Sequence, residues 1–281
     1  MSTTYYVPSG KIPIIGAMVT LVVAAVVPLV MAVPYAVALV YNPSAYLGIV
    51  LPGLMGGAIG FGVAKAGTWM KVRNAWALVG VAVLSAMACW LLSWVPWEYF
   101  TLSHIGQDID LQTVLWPPTF LELFAILYEN GAWTIGRSGE PVSGFMLLLV
   151  WMGEAGIVLV ASGVAAWAAG SAGVFCETCE RWCKRVSNAF VHGAEAESQI
   201  TSKLAVGDLG VLTSAPRTQP SAGQWIETAV LYCECGATNT LLVERCLRKV
   251  DRRGNARVER KPIVKHALIT KAQADWARNG R

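Results

Sequence analysis

Charge is scarce in this chain. Only 14% of its 281 residues are Asp, Glu, Lys or Arg, while 55% are hydrophobic. Soluble domains carry about 25% charged residues, so an ordinary soluble globule is excluded. Histidine is scarcer still: His104, His192 and His266 stand isolated, and no H-E-x-x-H helix can be written from them. There is no nucleophile elbow and no phosphate loop; Gly170–Gly173 reads as a flexible exit from a membrane. These absences point away from an enzyme. No nucleic-acid motif is recognisable, so no nucleic-acid partner is expected. No lipidation motif marks either end. The first residues lack a basic n-region and the first apolar run is too long, so no cleavable signal peptide is expected.

What is present is long apolar sequence. The stretch 144–169 is about 26 residues of almost unbroken apolar character, long enough to cross a bilayer, with one acid, Glu154, near its middle. Three earlier stretches read the same way: 14–41, 46–66 and 75–95. The first holds Pro28 and Pro34, which free backbone carbonyls that neighbouring helices can satisfy. The second is dense in glycine; Gly53/Gly57 and Gly56/Gly60 are each four apart, a spacing that permits close helix contact. That spacing suits either tight packing or a thin wall beside a pore. In the third, Cys89 reads as a packing residue, and Trp90, Trp94 and Trp97 as an interfacial belt. Tyr5 and Tyr6 suit the same interface. The long loop 96–142 contains an expected short helix after Pro117-Pro118, with Leu121, Phe124, Leu127 and Tyr128 on one face, lying on the membrane or capping the bundle. Gly131, Gly136 and Gly139 mark turns before the fourth span.

Positive charge sets the expected orientation. The N-terminal tail, the 65–73 turn and the C-terminal tail hold 21 of the 22 Lys and Arg. With four spans they share one side, the cytoplasm, and the acidic 96–142 loop lies outside. The opening YYVPSGKIP, the glycine-packed second span and the turn KVRN resemble a group of uncharacterised bacterial four-span inner-membrane proteins with a cysteine-bearing cytosolic tail. The resemblance implies a bacterial inner-membrane location and no particular activity.

Six of seven cysteines fall after residue 175, which argues for a site. Cys176 and Cys179 form C-x-x-C; Cys233 and Cys235 form C-x-C followed by Gly236. Zinc takes four tetrahedral ligands, and paired thiolates on turns suit it. The second pair sits among β-like runs, IETAVLYCEC, TNTLLVERCLRKV and ARVERKPIVKHALIT, the last after the turn Arg253-Gly254-Asn255. A zinc-ribbon-like domain with Cys176, Cys179, Cys233 and Cys235 as ligands follows, with Cys183 or Cys246 as alternates. Free thiols or a redox dithiol are the rival readings; a cytosolic tail is not expected to keep permanent disulfides. If the first pair continues the helix of the fourth span, Cys176, Cys179 and Cys183 share a face. Residues 195–206 read as helical, and 213–223 as a linker.

Glu154 is costly at a bilayer centre and should face the bundle interior, alongside Leu147, Trp151, Val158, Ala161 and Ala165. It serves either a proton or ion site or one buried hydrogen bond, to Ser85 or to backbone freed at Pro28 or Pro34. Arg245, Arg248, Lys249, Arg252, Arg253, Arg257, Arg260 and Lys261 gather around one hairpin, where anionic lipid headgroups are the nearest polyanion. The sequence therefore predicts an α-helical membrane protein, a four-helix bundle over 1–170 and a small α+β cytosolic domain over 171–281. The expected function is a membrane-anchored binding or scaffold protein with a structural zinc and an unknown protein partner. The alternatives are a small transporter or channel using Glu154 and a membrane-tethered thiol redox or metal sensor.

Overall fold

A computed structural model describes residues 4–42, 46–104, 110–131, 141–171, 173–218, 223–251 and 255–279. Gly136, Gly139, Arg252, Arg253 and Gly254 lie outside them. The chain divides into two compact units, Gly10–Ala172 and Gly173–Arg281 with Met1–Ser9.

The first unit contains four helices long and apolar enough to cross a membrane: α1 (Ile14–Val40), α2 (Leu47–Trp69), α3 (Ala75–His104) and, after two shorter helices, α6 (Gly144–Gly170). Leucine, valine and alanine dominate α1, α3 and α6, and apolar side chains cover the outer faces of all four as well as the inner seam, the all-round apolarity of a membrane span. Proline is accommodated by a partner helix. Pro28 has no N–H for the Ala24 carbonyl four residues back, and Ser85 of α3 donates its hydroxyl to that carbonyl at 2.8 Å.

The glycines of α2 are not equivalent. A Cβ at Gly56 or Gly60 would sit 2.1 Å from the Val158 or Ser162 carbonyl oxygen of α6, whereas Gly57 and Gly62 face open space. Of the two expected glycine pairs, only Gly56/Gly60 makes the close approach, and it makes it by packing. Asn74 caps α3 by accepting the Ala77 N–H at 3.0 Å.

Helix α3 runs to His104, beyond the expected end at 95. Pro96 does not break it. The helices α4 (Leu111–Leu115) and α5 (Pro117–Asn130) follow. The packed face of α5 is Phe120, Phe124 and Tyr128, against Trp94, Val142, Leu147 and Trp151. Leu121, expected on that face, is exposed. The tryptophans supply the reason: the rings of Trp94 and Trp151 pack against Phe124 at tilted angles, with centroids 5.3 and 4.8 Å away, so aromatic contact sets the rotation of α5.

The second unit holds an antiparallel sheet in the order β3 (Lys184–Gly193), β4 (Gln224–Tyr232), β5 (Asn239–Val250), β6 (Ala256–Leu268), preceded by a two-residue hairpin, β1 (Phe175–Cys176) and β2 (Arg181–Trp182). One face packs Phe190, Ile226, Val230, Leu241, Val243 and Val264 against α7 (Glu197–Ala205), α8 (Val211–Ser214) and α9 (Lys271–Asn279). The other packs Ala229, Leu231 and Leu242 against Val174 and Tyr6. Burial on both faces explains why β4 lacks a clean alternation of apolar and polar residues.

The N-terminal strip belongs to this sheet. Tyr5 pairs with Ala267 on the free edge of β6, through Tyr6 N–H to the His266 carbonyl and Leu268 N–H to the Thr4 carbonyl, at 2.9 and 2.8 Å. The Tyr6 hydroxyl accepts the Phe175 N–H at 3.1 Å, and Ser9 donates to Glu177 at 2.6 Å. Tyr5 and Tyr6, read from the sequence as interfacial anchors of the membrane half, serve strand pairing and packing in the other unit instead. An open sheet edge offers unpaired backbone groups that a short extended segment satisfies.

Candidate metal centre

Two turns build the site. Cys176 ends β1 and Cys179 lies in the four-residue turn before β2, with Cys176 opposite Arg181 and Phe175 opposite Trp182. Glu180, at φ +48, closes that turn. The first cysteine pair is therefore on a β-knuckle. The alternative of a helix continuing from the fourth span fails because α6 ends at Gly170. Phe175 and Trp182 meet edge to face at 5.1 Å and brace the hairpin. The second pair lies in the β4–β5 turn, where Cys233 N–H bonds the Thr238 carbonyl at 3.0 Å and Gly236 N–H bonds the Cys233 carbonyl at 2.8 Å. Gly236 takes φ +78, a left-handed position that suits glycine.

The four sulfurs of Cys176, Cys179, Cys233 and Cys235 all lie within 4.8 Å of one another. Cys176 Sγ is 3.6 Å from Cys235 Sγ, and Cys235 Sγ is 3.4 Å from Cys233 Sγ. Sulfurs about 2.3 Å from a shared tetrahedral ion stand about 3.8 Å apart, so the cluster has the size of a four-thiolate metal site. The Ala237 N–H points at Cys235 Sγ from 3.4 Å, a donor that orients a ligating sulfur and offsets its charge. Cys176 is buried, Cys179 and Cys233 are half-buried, and Cys235 is exposed.

The thiols of the cluster shift one another in opposite directions. Burial works against a thiolate at Cys176, but hydrogen bonds from Thr238, the Cys179 backbone, Cys235 and Cys233 outweigh it and bring that thiol down to about 6. Cys179, sharing hydrogen bonds with Cys235 and Cys233, is pushed up to about 12. Four thiolates this close repel one another; a divalent ion lets all four ionise together. Four protein ligands fill a tetrahedral shell and leave no open position for a substrate, which is the arrangement of structural sites.

The alternate ligands are outside the four-sulfur group, although Cys183 borders it closely enough to feel the charges of Cys233, Cys176 and Cys235. Cys183 Sγ approaches the Thr238 carbonyl at 3.7 Å, and its N–H bonds Val174. Cys246 is buried on β5, its thiol directed at Glu227 Oε2 from 3.5 Å. Arg260 reaches the same carboxylate at 3.5 Å. A buried acid at 227 was hidden in the sequence by its β-like surroundings.

Within the bundle, Glu154 of α6 accepts a hydrogen bond from the Tyr35 hydroxyl of α1 and another from the Trp90 indole of α3. The expected partners were different: Ser85 is occupied with the Ala24 carbonyl. Leu147, Trp151 and Val158 are buried as expected, while the deepest small positions near the end of α6 are Ser162 and Ala166 rather than Ala161 and Ala165. Glu98, counted from the sequence among the loop acids, is fully buried on α3, with no hydrogen-bond partner on either carboxylate oxygen among the described residues. Tyr35→Phe should lower bundle stability by about 1–2 kcal/mol, since it leaves a buried acceptor short of a donor. Glu154→Gln, which keeps an acceptor for both donors, should cost less. Thermal unfolding in detergent measures both. Comparison with protein-family models, curated proteins and solved structures gave no match.

Proposed function

We propose that this chain is a membrane-anchored binding or scaffold protein whose tail domain is held together by one structural zinc ion on Cys176, Cys179, Cys233 and Cys235. The observation that carries the reading is the convergence of four sulfurs, from two turns 53 residues apart in sequence, to within 4.8 Å. Thiolate-only ligation favours zinc over harder cations. A saturated shell supports a binding module over an enzyme. We place the protein in a bacterial inner membrane with both termini in the cytoplasm. The positive-charge distribution supports that orientation, and the pairing of Tyr5 with Ala267 joins the two ends in one unit, which an even number of crossings permits. Transport through Glu154 is less well supported, because its carboxylate already serves Tyr35 and Trp90 as a cross-helix tie.

The test is metal content of the full-length protein purified in reductant. A fragment starting at 171 would lose the Tyr5 and Tyr6 contacts. About one zinc per chain is expected, retained in Cys183→Ser and Cys246→Ser and lost in Cys179→Ser/Cys235→Ser. A metal-free wild type, still folded and with all its tail thiols titratable, would sink the proposal.

A further inference from the structure

Strands β4 and β5 are paired as far as Gln224 and Leu247. Arg248 marks the exit, its N–H bonded to the Gly223 carbonyl. Pairing between β5 and β6 continues past it, through Lys249–Arg257 to Val250–Ala256. The result is a two-stranded ribbon with no third strand beside its tip among the described residues. Every described residue from Arg248 to Pro262 is exposed.

The ribbon concentrates positive charge. Arg248–Lys261 holds seven basic and two acidic residues, while the whole chain carries only +4. Among described residues the balance is still five to two. Both acids are engaged internally. Asp251 accepts the Asn255 N–H at 2.8 Å and its amide at 3.1 Å, which closes the turn. Glu259 pairs with Lys249 at 2.5 Å. Arg248, Arg257 and Lys261 have no ion pair among the described residues.

The two faces of the ribbon differ. Register puts Arg248, Val250, Ala256, Val258 and Arg260 on one face and Lys249, Arg257, Glu259 and Lys261 on the other. Val250 and Val258 are 61% and 41% exposed. Exposed valines beside Arg248 fit the headgroup–acyl boundary, where apolar groups enter and a guanidinium binds phosphate; Arg260, on the same face, is paired with Glu227. The chain is tethered to a bilayer by four spans, and the tail unit begins at Gly173, just after α6 ends at Gly170. We propose that the paired strands of this ribbon, Arg248–Val250 and Ala256–Lys261, bind the anionic headgroups of the lipid bilayer. A bare two-stranded ribbon is marginally stable in water, so its order should depend on that surface.

Hydrogen exchange over 247–261 tests this, with the full-length protein in nanodiscs of phosphatidylcholine or of equal phosphatidylcholine and phosphatidylglycerol. Exchange should slow by about tenfold or more in the anionic discs, given about 1 kcal/mol for each unpaired cation. Salt at about 0.5 M should reverse the effect. Arg248→Glu/Arg257→Glu/Lys261→Glu should abolish it, while Arg248→Lys/Arg257→Lys should retain it. Equal exchange in the two lipids overturns the proposal, as does loss of protection in the lysine variant. Protection by duplex DNA in neutral discs, with none from anionic lipid, also overturns it and assigns the ribbon to nucleic acid.

Discussion

Cys235→Ser in the full-length protein should unfold the tail domain and leave the helical bundle intact. Cys235 is the informative choice because its side chain is exposed. Serine there leaves no cavity, so any large loss reports ligation rather than packing. Cys176, fully buried, would confound the two. The proposed ligation would join the β1–β2 hairpin to the β4–β5 turn, and structural zinc binding contributes about 10–16 kcal/mol at neutral pH. A domain is stable by about 5–15 kcal/mol in total, so losing one ligand of four removes most of that margin. Hydrogen exchange should show amides of 175–182 and 226–246 losing protection while those of 47–69 and 144–170 keep theirs. Unchanged protection at 226–246 would mean that the sheet does not depend on the cluster.

Gly56→Val and Gly60→Val should each destabilise the bundle by about 3 kcal/mol or more, at or beyond the upper end of ordinary overpacking. The obstruction is backbone. The new Cβ would fall 2.1 Å from a carbonyl oxygen of α6, at Val158 for Gly56 and at Ser162 for Gly60. A side chain could rotate away; the helix must move bodily. Moving it would also disturb the bond from Ser162 Oγ to the Ala82 carbonyl at 3.1 Å. Gly57→Val and Gly62→Val, with nothing within 4 Å of the added Cβ, should be within about 0.5 kcal/mol of wild type. Thermal unfolding of the four variants in one detergent separates the predictions. Equal behaviour of Gly57 and Gly60 variants would rule out the proposed seam.

The spans were legible because unbroken apolarity over a bilayer's width is a pattern that few structures besides a membrane helix require. Their ends were less so. The third span was expected to end at 95, yet α3 carries Pro96 and continues to His104, since proline in a packed helix costs a bond and not the helix. Three of the four sheet strands could be read from their β-branched runs. The fourth, Lys184–Gly193, could not: KRVSNAFVHG mixes polar and apolar residues, and its ladder to β4 is interrupted between Val186 and Phe190. The four cysteines were identifiable by spacing, but the knuckle geometry of the first pair was not. Glu98 was misplaced for the same reason as the end of α3, and the pairing of Glu154 with Tyr35 joins residues 119 apart, a separation no local pattern encodes.

The bridge between Tyr5 and Ala267 has a consequence for biosynthesis. Ala267 is more than 250 residues later in the chain than Tyr5. On the ribosome the opening segment is made first and must wait, unpaired, until the last strand emerges. By then all four apolar helices have been handed to the membrane. A chain inserted with one helix missed would leave the two segments on opposite sides of a lipid barrier, and the β6 edge would stay bare and sticky. Closure of the sheet thus acts as a parity check on insertion: only an even number of crossings lets the first residues meet the last strand.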